Sequence, residues 1–476
     1  MKKIKKTKII ATIGPSSSSS KTVEQMMLEG VDVFRINFSH AKHNEVKKTI
    51  KLIREIDKKL SLNTAIIADL QGPKLRIGKM KKNSSFNKGD KITIDSKSQL
   101  VGNSKKLYVN YKNLAKDIKE GENILLDDGK IILKILSGNK RDLITAEVIQ
   151  GGNIDSNKGF NLPNTKISLS PLTEKDIEDA ILAIKEKVDW LALSFVRSKS
   201  DIEDLLKIID QNSEYRIPVI AKIEKPEALK NIDEIIKVSS GLMVARGDLG
   251  VELQSSEIPL IQKKLVAKAK KARIPVIIAT QMMESMMESM SPTRAEVNDV
   301  ANSVMDGADA VMLSGETSVG KYPLEVIKTI SSIINKVENS NLISLANKRP
   351  KDKKSKRYIT KSICFSAAKM ANDIKAKAIS TLTHSGYTAF QISSWRPSTH
   401  VLVFTSNKRI LTQLNLLWGV KAFFYDGFES TDRTVEQINK IALDNKFLQK
   451  GDKVINLTSM PIDKKGMTNT LRISEI

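Results

Sequence analysis

Apolar runs of five to eight residues alternate with stretches of helical period over the first 70 residues. Lys8–Gly14 (KIIATIG), Val31–Phe38 (VDVFRINF) and Thr64–Leu70 (TAIIADL) read as strands buried on both faces, as in a parallel sheet covered by helices. A helix from about Thr22 to Glu29 follows the first, and the second is followed by one with Val46, Ile50, Ile53 and Leu60 on a single face. From about Pro73 to Lys166 the period drops to two. Runs such as KITID, KLYVN and LITAEVI, separated by Gly, Asn and Asp, predict an all-β module inserted after the third strand. Strand and helix then alternate again. Trp190–Phe195, Val219–Glu224, Leu242–Ala245, Ile274–Thr280 and Ala308–Leu313 are the fourth to eighth strands, with helices over Thr173–Lys187, from Ser198, between Glu224 and Leu242, and from Pro323 to about Asn335.

Eight strand-helix units predict a closed (β/α)8 TIM barrel, whose active residues lie at the carboxyl ends of the strands. After a basic linker the alternation restarts with different spacing. Helices over Thr360–Ile374, Thr388–Ser394 and Ile410–Trp418 and strands over Ala378–Thr383, Val401–Thr405 and Lys421–Tyr425, then apolar runs at Lys453–Leu457 and Thr470–Ile473, predict an open α/β domain. The expected organisation is a barrel from 1–72 and 169–341, an inserted β-barrel lid at 73–168, a linker at 342–357 and a C-terminal domain at 358–476. Trp395 and Trp418 are expected to pack in that last core.

Composition narrows the class. With 40% hydrophobic and 28% charged residues the chain is an ordinary folded protein, and at 476 residues it has room for two to four domains. Its single cysteine, Cys364, lies in an apolar helical context and is expected to be core packing, which fits a reducing compartment or a chain indifferent to redox. The basic start MKKIKKTK leads into no signal-peptide core, and no window approaches the roughly 20 apolar residues of a membrane span. The expectation is a cytoplasmic protein. A formal charge of +24 raises the question of nucleic acid. The lysines are spread over most helices, aromatics are only 5%, and no basic run is interleaved with stacking residues, so anionic small substrates are the better match.

The candidate chemistry centres on Val219 to Glu252. Adjacent parallel strands lie about 5 Å apart, so Glu224 and Asp248 should reach one sheet edge with Lys222 beside them. Two carboxylates suit Mg2+ shared with a phosphorylated substrate, and a lysine among them suits developing negative charge. A structural ion pair at a strand end would look the same on spacing alone. The remaining strands decide: Arg35 and Asn37 end the second, Asp69 the third and Thr280 the seventh, so the polar residues gather on one rim. Gly315–Lys321 nearly spells a phosphate-binding loop, but Tyr322 stands where the magnesium-binding hydroxyl belongs.

The segments KTKIIATIGPSS, FRINFSH, ADLQGPKLRIG, KGFNLPN, AKIEKPEAL, LMVARGDLGVE, PTRAEVNDVANSVMDGAD and MLSGETSVGKYP occur in order, and with them the chain closely resembles the pyruvate kinase family over nearly its whole length. The resemblance implies phosphoryl transfer from phosphoenolpyruvate to ADP in a homotetramer, with no nucleic acid or membrane partner. By position, Lys222 would stabilise the transferring phosphoryl group and the enolate, and Arg35 would clamp the phosphoryl group. Glu224 and Asp248 would hold Mg2+, or Mn2+ in its place. Gly247, Asp248 and Thr280 would bind the substrate carboxylate, Thr280 also helping to deliver a proton. Asn37, His40, Arg76 and Lys158 would meet the nucleotide under a closing lid. The loop Thr383–Thr388, with Lys464 and Lys465, resembles the family's phosphosugar effector loop. Met286–Met290 replaces a proline-bearing turn, and Thr458–Pro461 lacks a glycine often found there. In many members Asn37, Ser39, Asp69 and a following threonine surround K+, supported by a glutamate. Here Leu70 replaces the threonine and Lys74 the glutamate, so the Lys74 ammonium is expected to stand in for K+, which would not be required.

Overall fold

The computed structural model describes residues 5–39, 41–340, 342–343, 349–427, 429–461 and 467–476. Eight parallel strands, Lys8–Thr12, Val33–Asn37, Ala65–Asp69, Trp190–Leu193, Val219–Ile223, Gly241–Ala245, Val276–Ala279 and Ala310–Leu313, close in chain order, the first pairing with the eighth. The period of two along each strand sorts their side chains. Ile9, Phe34, Ile66, Leu191, Ala221 and Val311 face the surrounding helices, whereas Ile10, Val33, Ile67, Trp190, Ile220, Met243 and Ile277 fill the barrel. Two residues further along come Thr12, Arg35, Asp69 and Lys222, and Ser194 follows inward-facing Ala192 in the same way. The interior is thus apolar at the base and charged at the carboxyl rim.

Helix ends are set by local chemistry. Thr173 with Asp176 and Thr293 with Glu296 form reciprocal capping boxes at the starts of Glu174–Lys185 and Arg294–Asp306, and Gly307, at φ 98°, ends the latter in a left-handed cap.

Residues inserted after the third strand form a six-stranded sheet and a two-stranded one around their own core of Ile92, Leu107, Ile124, Leu133 and Ile144. The C-terminal sheet has five strands in the order Val420–Phe424, His400–Thr405, Ala378–Leu382, Lys453–Thr458 and Thr470–Glu475, the last antiparallel and at the edge. Trp395 and Trp418 are buried, and burial pushes the Cys364 thiol up to about 12, so both expectations of core packing hold. Gly315–Ser318 is a short helix, and Lys321 just beyond it pairs with Glu288. Among the described residues no helix is long and apolar enough to cross a membrane.

Three local readings are corrected. The helix expected over Ile410–Trp418 is Lys408–Gln413 followed by a 3-10 turn, Leu414–Leu416, because Leu416 turns down to join the apolar cluster of the barrel interior. The stretch between Glu224 and Leu242 holds two helices, Pro226–Lys230 and Ile232–Val238, broken at Asn231, whose amide donates to the Arg197 carbonyl at 2.9 Å. Helix Thr431–Asp444 was not anticipated, although Val435, Ile438 and Ala442 mark its buried face.

Gly72 joins the third strand to the inserted module at φ 69°, and a Cβ there would meet Phe195 Cδ2 at 2.7 Å and Ser194 Cβ at 3.0 Å. Left-handed strain and overpacking act together, so Gly72→Ala should destabilise the fold by about 1–3 kcal/mol. Equilibrium denaturation would read this as a lowered midpoint at unchanged slope. An unchanged midpoint would mean that the junction relaxes freely.

Candidate active site

The rim charges form one connected set. Lys222 Nζ lies 3.1 Å from Asp69 Oδ1 and 3.0 Å from Glu224 Oε1, and donates to Ser194 Oγ at 2.7 Å. Arg35 approaches Asp69 Oδ2 at 2.6 and 2.7 Å and donates to Thr12 Oγ1 at 3.0 Å. Glu224 is 4% exposed, and its second oxygen accepts from the Phe195 amide at 3.0 Å. Burial would discharge Lys222, but Asp69 and Glu224 overcome it and hold the ammonium above its usual range. Burial likewise opposes ionisation of Asp69, and Lys222 and Arg35 reverse that, leaving the carboxylate below its usual range. Both groups therefore stay charged through neutral pH.

Asp248 is placed one step beyond the sequence reading. Strand six stops at Ala245, and Asp248 sits in the first turn of helix Arg246–Glu252. It opens onto the same cleft as Glu224 and Lys222. Enclosure at the cleft floor and the facing Glu224 carboxylate push its carboxyl up to about 6.

Thr280 also lies one residue past its strand, at φ 70°, followed by Gln281 at φ 53°. A β-branched residue in the left-handed region costs about 1–3 kcal/mol and persists only where its surroundings enforce it. Here the enforcement is explicit. Thr280 Oγ1 accepts from the Gly247 amide at 2.7 Å, and the Thr280 carbonyl accepts from Arg246 at 2.6 Å, itself paired to Asp299. A carboxylate arriving at the Gly247 amide would have to take over the bond now made by Thr280.

The cleft has room for about 240 Å3 of solvent and is walled by barrel rim and inserted module together. Asn37, Ser39, Lys74 and Arg76 line it from one side. Asn37 Oδ1 accepts from the Ser39 amide at 3.1 Å. Arg76 donates to the Asn157 carbonyl at 2.6 Å, and neighbouring Lys158 pairs with Asp127 at 2.9 Å, so these two nucleotide candidates share one stretch of the module. His40, Lys464 and Lys465 lie outside the described residues. In the loop Thr383–Thr388, Gly386 takes φ 78° and donates its amide to Thr383 Oγ1 at 3.0 Å, leading into helix Tyr387–Ser394.

Four participants were missed in the sequence. Thr12 and Ser194 close the first and fourth strands and hold Arg35 and Lys222, and the rim rule applied to every strand would have found them. Lys225 pairs with buried Glu252, which also accepts from Asn161 of the inserted module at 2.9 Å, so the module and the helix Arg246–Glu252 are linked.

Family models for the pyruvate kinase barrel domain and the pyruvate kinase alpha/beta domain match residues 4–327 and 361–474. The chain belongs to the pyruvate kinase family. It is 40% identical to a pyruvate kinase of Corynebacterium glutamicum over 98% of this chain and 97% of the relative, and 38% identical to one of Clostridium acetobutylicum over 99% and 100%. A crystal structure of a Cryptosporidium parvum pyruvate kinase superimposes with a TM-score of 0.91 at 32% identity, covering 99% of this chain and 96% of that one. The pyruvate kinase fold expected from the segments is thus present, and the enzyme class is phosphotransferase.

Among the described residues no three His, Cys, Asp or Glu side chains gather as a metal cage. Glu224 and Asp248 fit Mg2+ all the same, since that ion keeps several waters and takes one or two carboxylates plus substrate oxygens. Asp248, raised by burial and then by the facing Glu224 carboxylate more than Lys222 and Lys225 lower it, is the group such an ion would discharge. Its proton is held below about pH 6 and released above it, so the apparent affinity for Mn2+, followed by electron paramagnetic resonance, should fall as pH drops through about 6. An affinity flat from pH 7.5 to pH 5 would remove Asp248 from the metal site.

Proposed function

We propose that the rim cluster transfers the phosphoryl group of phosphoenolpyruvate to ADP, giving pyruvate and ATP. The observation that carries this reading is Lys222, held charged between Asp69 and Glu224 where Arg35 and Asp248 open onto one cleft. The P–O bond to the enol oxygen breaks, a bond to an ADP phosphate oxygen forms, and the enolate left behind takes a proton at its terminal carbon. Negative charge builds first on the moving phosphoryl group and then on the enolate, and Lys222 faces both. Arg35 presents its fork to the phosphoryl oxygens, which a lysine could not copy. Mg2+ held by Glu224 and Asp248 would neutralise charge shared between substrate and protein. The Gly247 amide and Thr280 receive the substrate carboxylate, and Thr280 passes a proton to the enolate through water. Asn37, His40, Arg76 and Lys158 meet the nucleotide, with the inserted module closing over it to exclude water.

Assembly as a homotetramer in the cytoplasm belongs to the same proposal. Leu260, Met290 and Val297 are exposed on the barrel and Ile473 on the open edge strand, which gives two separate faces for subunit contact.

A coupled assay of pyruvate release with phosphoenolpyruvate, ADP and Mg2+ tests the reaction directly. Replacing Lys222 by Met keeps length and bulk but removes the cation, and turnover should drop about 10^3-fold while metal binding persists. Near-normal turnover in that variant would end the mechanism.

The monovalent cation follows from the same site. Lys74 lines the cleft beside Lys222, and its ammonium has no hydrogen bond or ion pair among the described residues. Burial, then Arg76, Lys175 and Lys222, lower its pKa, the mark of an ammonium set among other cations. Leu70 is 1% exposed and offers no oxygen ligand from its side chain. A K+ beside that ammonium would be repelled by several kcal/mol at low dielectric, on the order of what Coulomb's law gives at about 4 Å. Full activity is therefore expected with tetraalkylammonium salts of the substrate, and Lys74→Glu should acquire a K+ requirement. Tenfold activation of the unaltered enzyme by K+ at constant ionic strength would overturn the role of Lys74.

A further inference from the structure

Two buried ion pairs pin the short helix that carries Asp248. Helix Arg246–Glu252 has seven residues and no side-chain cap at its start, too little to hold its place by its own hydrogen bonds. At the start Arg246 pairs with Asp299 at 2.6 Å, and at the end Glu252 pairs with Lys225. Lys225 is 3% exposed and Glu252 6%, so this second pair is no surface bridge that water and salt would cancel. Its place in the chain gives it a further meaning. Lys225 immediately follows Glu224 at the exit of the fifth strand, and Glu252 lies four residues after Asp248, on the same helix face. The pair therefore ties together the two elements that carry the two metal-side carboxylates. Phe195 strengthens the tie, its amide donating to Glu224 at 3.0 Å and its ring lying 5.2 Å from the Lys225 ammonium.

The inserted module grips the same pair. Asn161 donates its side-chain amide at 2.9 Å to Glu252 Oε1, the oxygen that also meets Lys225. The other oxygen, Oε2, is buried without a hydrogen-bond partner among the described residues. A carboxylate left half-satisfied inside a protein is costly, and its retention calls for a reason. Asn161 ends the stretch Lys158–Asn161, in which Gly159 bridges to Arg76, so the grip on Glu252 and both nucleotide candidates of the module belong to one piece of chain.

We propose that Lys225 and Glu252 are positioning residues that set the separation of Glu224 and Asp248 for a divalent ion, and that Asn161 makes this separation depend on where the inserted module sits. The inference rests on the reading of Glu224 and Asp248 as the Mg2+ carboxylates. Lys225 and Glu252 act through those carboxylates, as the partners standing outside a metal's own ligands do, and loss of such partners costs about 10–100-fold in affinity. The coupling runs both ways. A nucleotide that draws the module onto the rim would tighten the ion, and the ion would tighten the nucleotide by the same factor.

Titration of the full chain with Mn2+, followed by electron paramagnetic resonance without substrate or nucleotide, tests the proposal. Lys225→Met combined with Glu252→Gln removes one charge of each sign, so the net charge near Asp248 is unchanged and a lost affinity reports geometry. That double variant should bind Mn2+ about tenfold more weakly or worse. Asn161→Ala keeps the ion pair and should still weaken Mn2+ about fivefold, with a matching rise in the half-saturating Mg2+ concentration of the coupled assay. Asp248→Asn serves as the reference for a lost ligand. Thermal unfolding without metal separates support from positioning. A lowered midpoint with unaltered Mn2+ affinity in the double variant would make the pair purely structural and overturn the proposal. Should the double variant not fold, Asn161→Ala decides, and an unmoved affinity there overturns the link to the module and the proposal with it. An affinity unmoved in Asp248→Asn would strike the metal reading itself and all that rests on it, whereas a loss confined to Asp248→Asn would strike the positioning pair alone.

Discussion

Everything at the rim depends on keeping one ammonium charged in a place water scarcely reaches. Isolated charges are expensive to bury, by several kcal/mol each even after relaxation, so Lys222 can stand there only with Asp69 and Glu224 within about 3 Å. Those carboxylates in turn need their own partners, which are Arg35 for the first and the Phe195 amide for the second. Phe195 pays for that service with a left-handed backbone, φ 56°, as Thr280 does across the barrel. The strain and the charges belong to one arrangement in which no member is stable alone. Asp248 is the exception, a buried carboxylate facing Glu224 whose charge Lys222 and Lys225 do not fully offset, and a divalent ion between the two carboxylates would relieve that imbalance.

The barrel separates this chemistry from its own support. At the rim the inward residues are polar and strained; at the base they are apolar and sealed by Leu416 from the C-terminal domain. The base carries a different kind of charge. Lys8 is fully enclosed, donates to the Val420 carbonyl at 2.9 Å, and burial brings its ammonium down to about 8 despite Asp32 beside it. Arg396 pairs with Asp309 at 2.9 Å, and Asp309 also accepts from the Trp418 and Val276 amides. These contacts fasten the two domains through directional bonds rather than a broad apolar face, which leaves the joint specific in register.

Much of this was legible because strand period and barrel geometry are strict. Eight continuous apolar runs, several of them ending in a polar residue, place Arg35, Asn37, Asp69, Lys222 and Glu224 on one rim without any knowledge of distances. What the pattern could not carry was anything decided by a partner far along the chain. Thr280 and Asp248 sit just past their strands because the Gly247 amide and Arg246 bind the turn after strand seven. The helix at Ile410 ends early because Leu416 is wanted in the barrel, and in the same segment Gln413 accepts from the Trp190 indole, 223 residues away in sequence. Ser194 was overlooked for a simpler reason, since a serine in an apolar run reads as tolerated packing until its hydroxyl is seen between Lys222 and the Leu70 carbonyl.

The large positive charge acquires a meaning once the two ends are considered together. A net +24 spread over the surface raises the local concentration of any anion without choosing among anions, and salt screens it within about 10 Å. Selection has to come from enclosure. At the rim Lys222 and Arg35 are matched by carboxylates, so a substrate there would be held by the difference between two nearly balanced sets, and only a group whose charge moves during reaction would gain fully from them. At the base Arg54 is matched by Asp189 and the Arg409 guanidinium lies 4.9 Å from the Tyr215 ring, so charge there serves the joint between barrel and C-terminal domain. The surface charge therefore gathers anions at large, while the balanced pairing of Lys222 with Asp69 and Glu224 is what distinguishes the rim cleft from the rest of that surface.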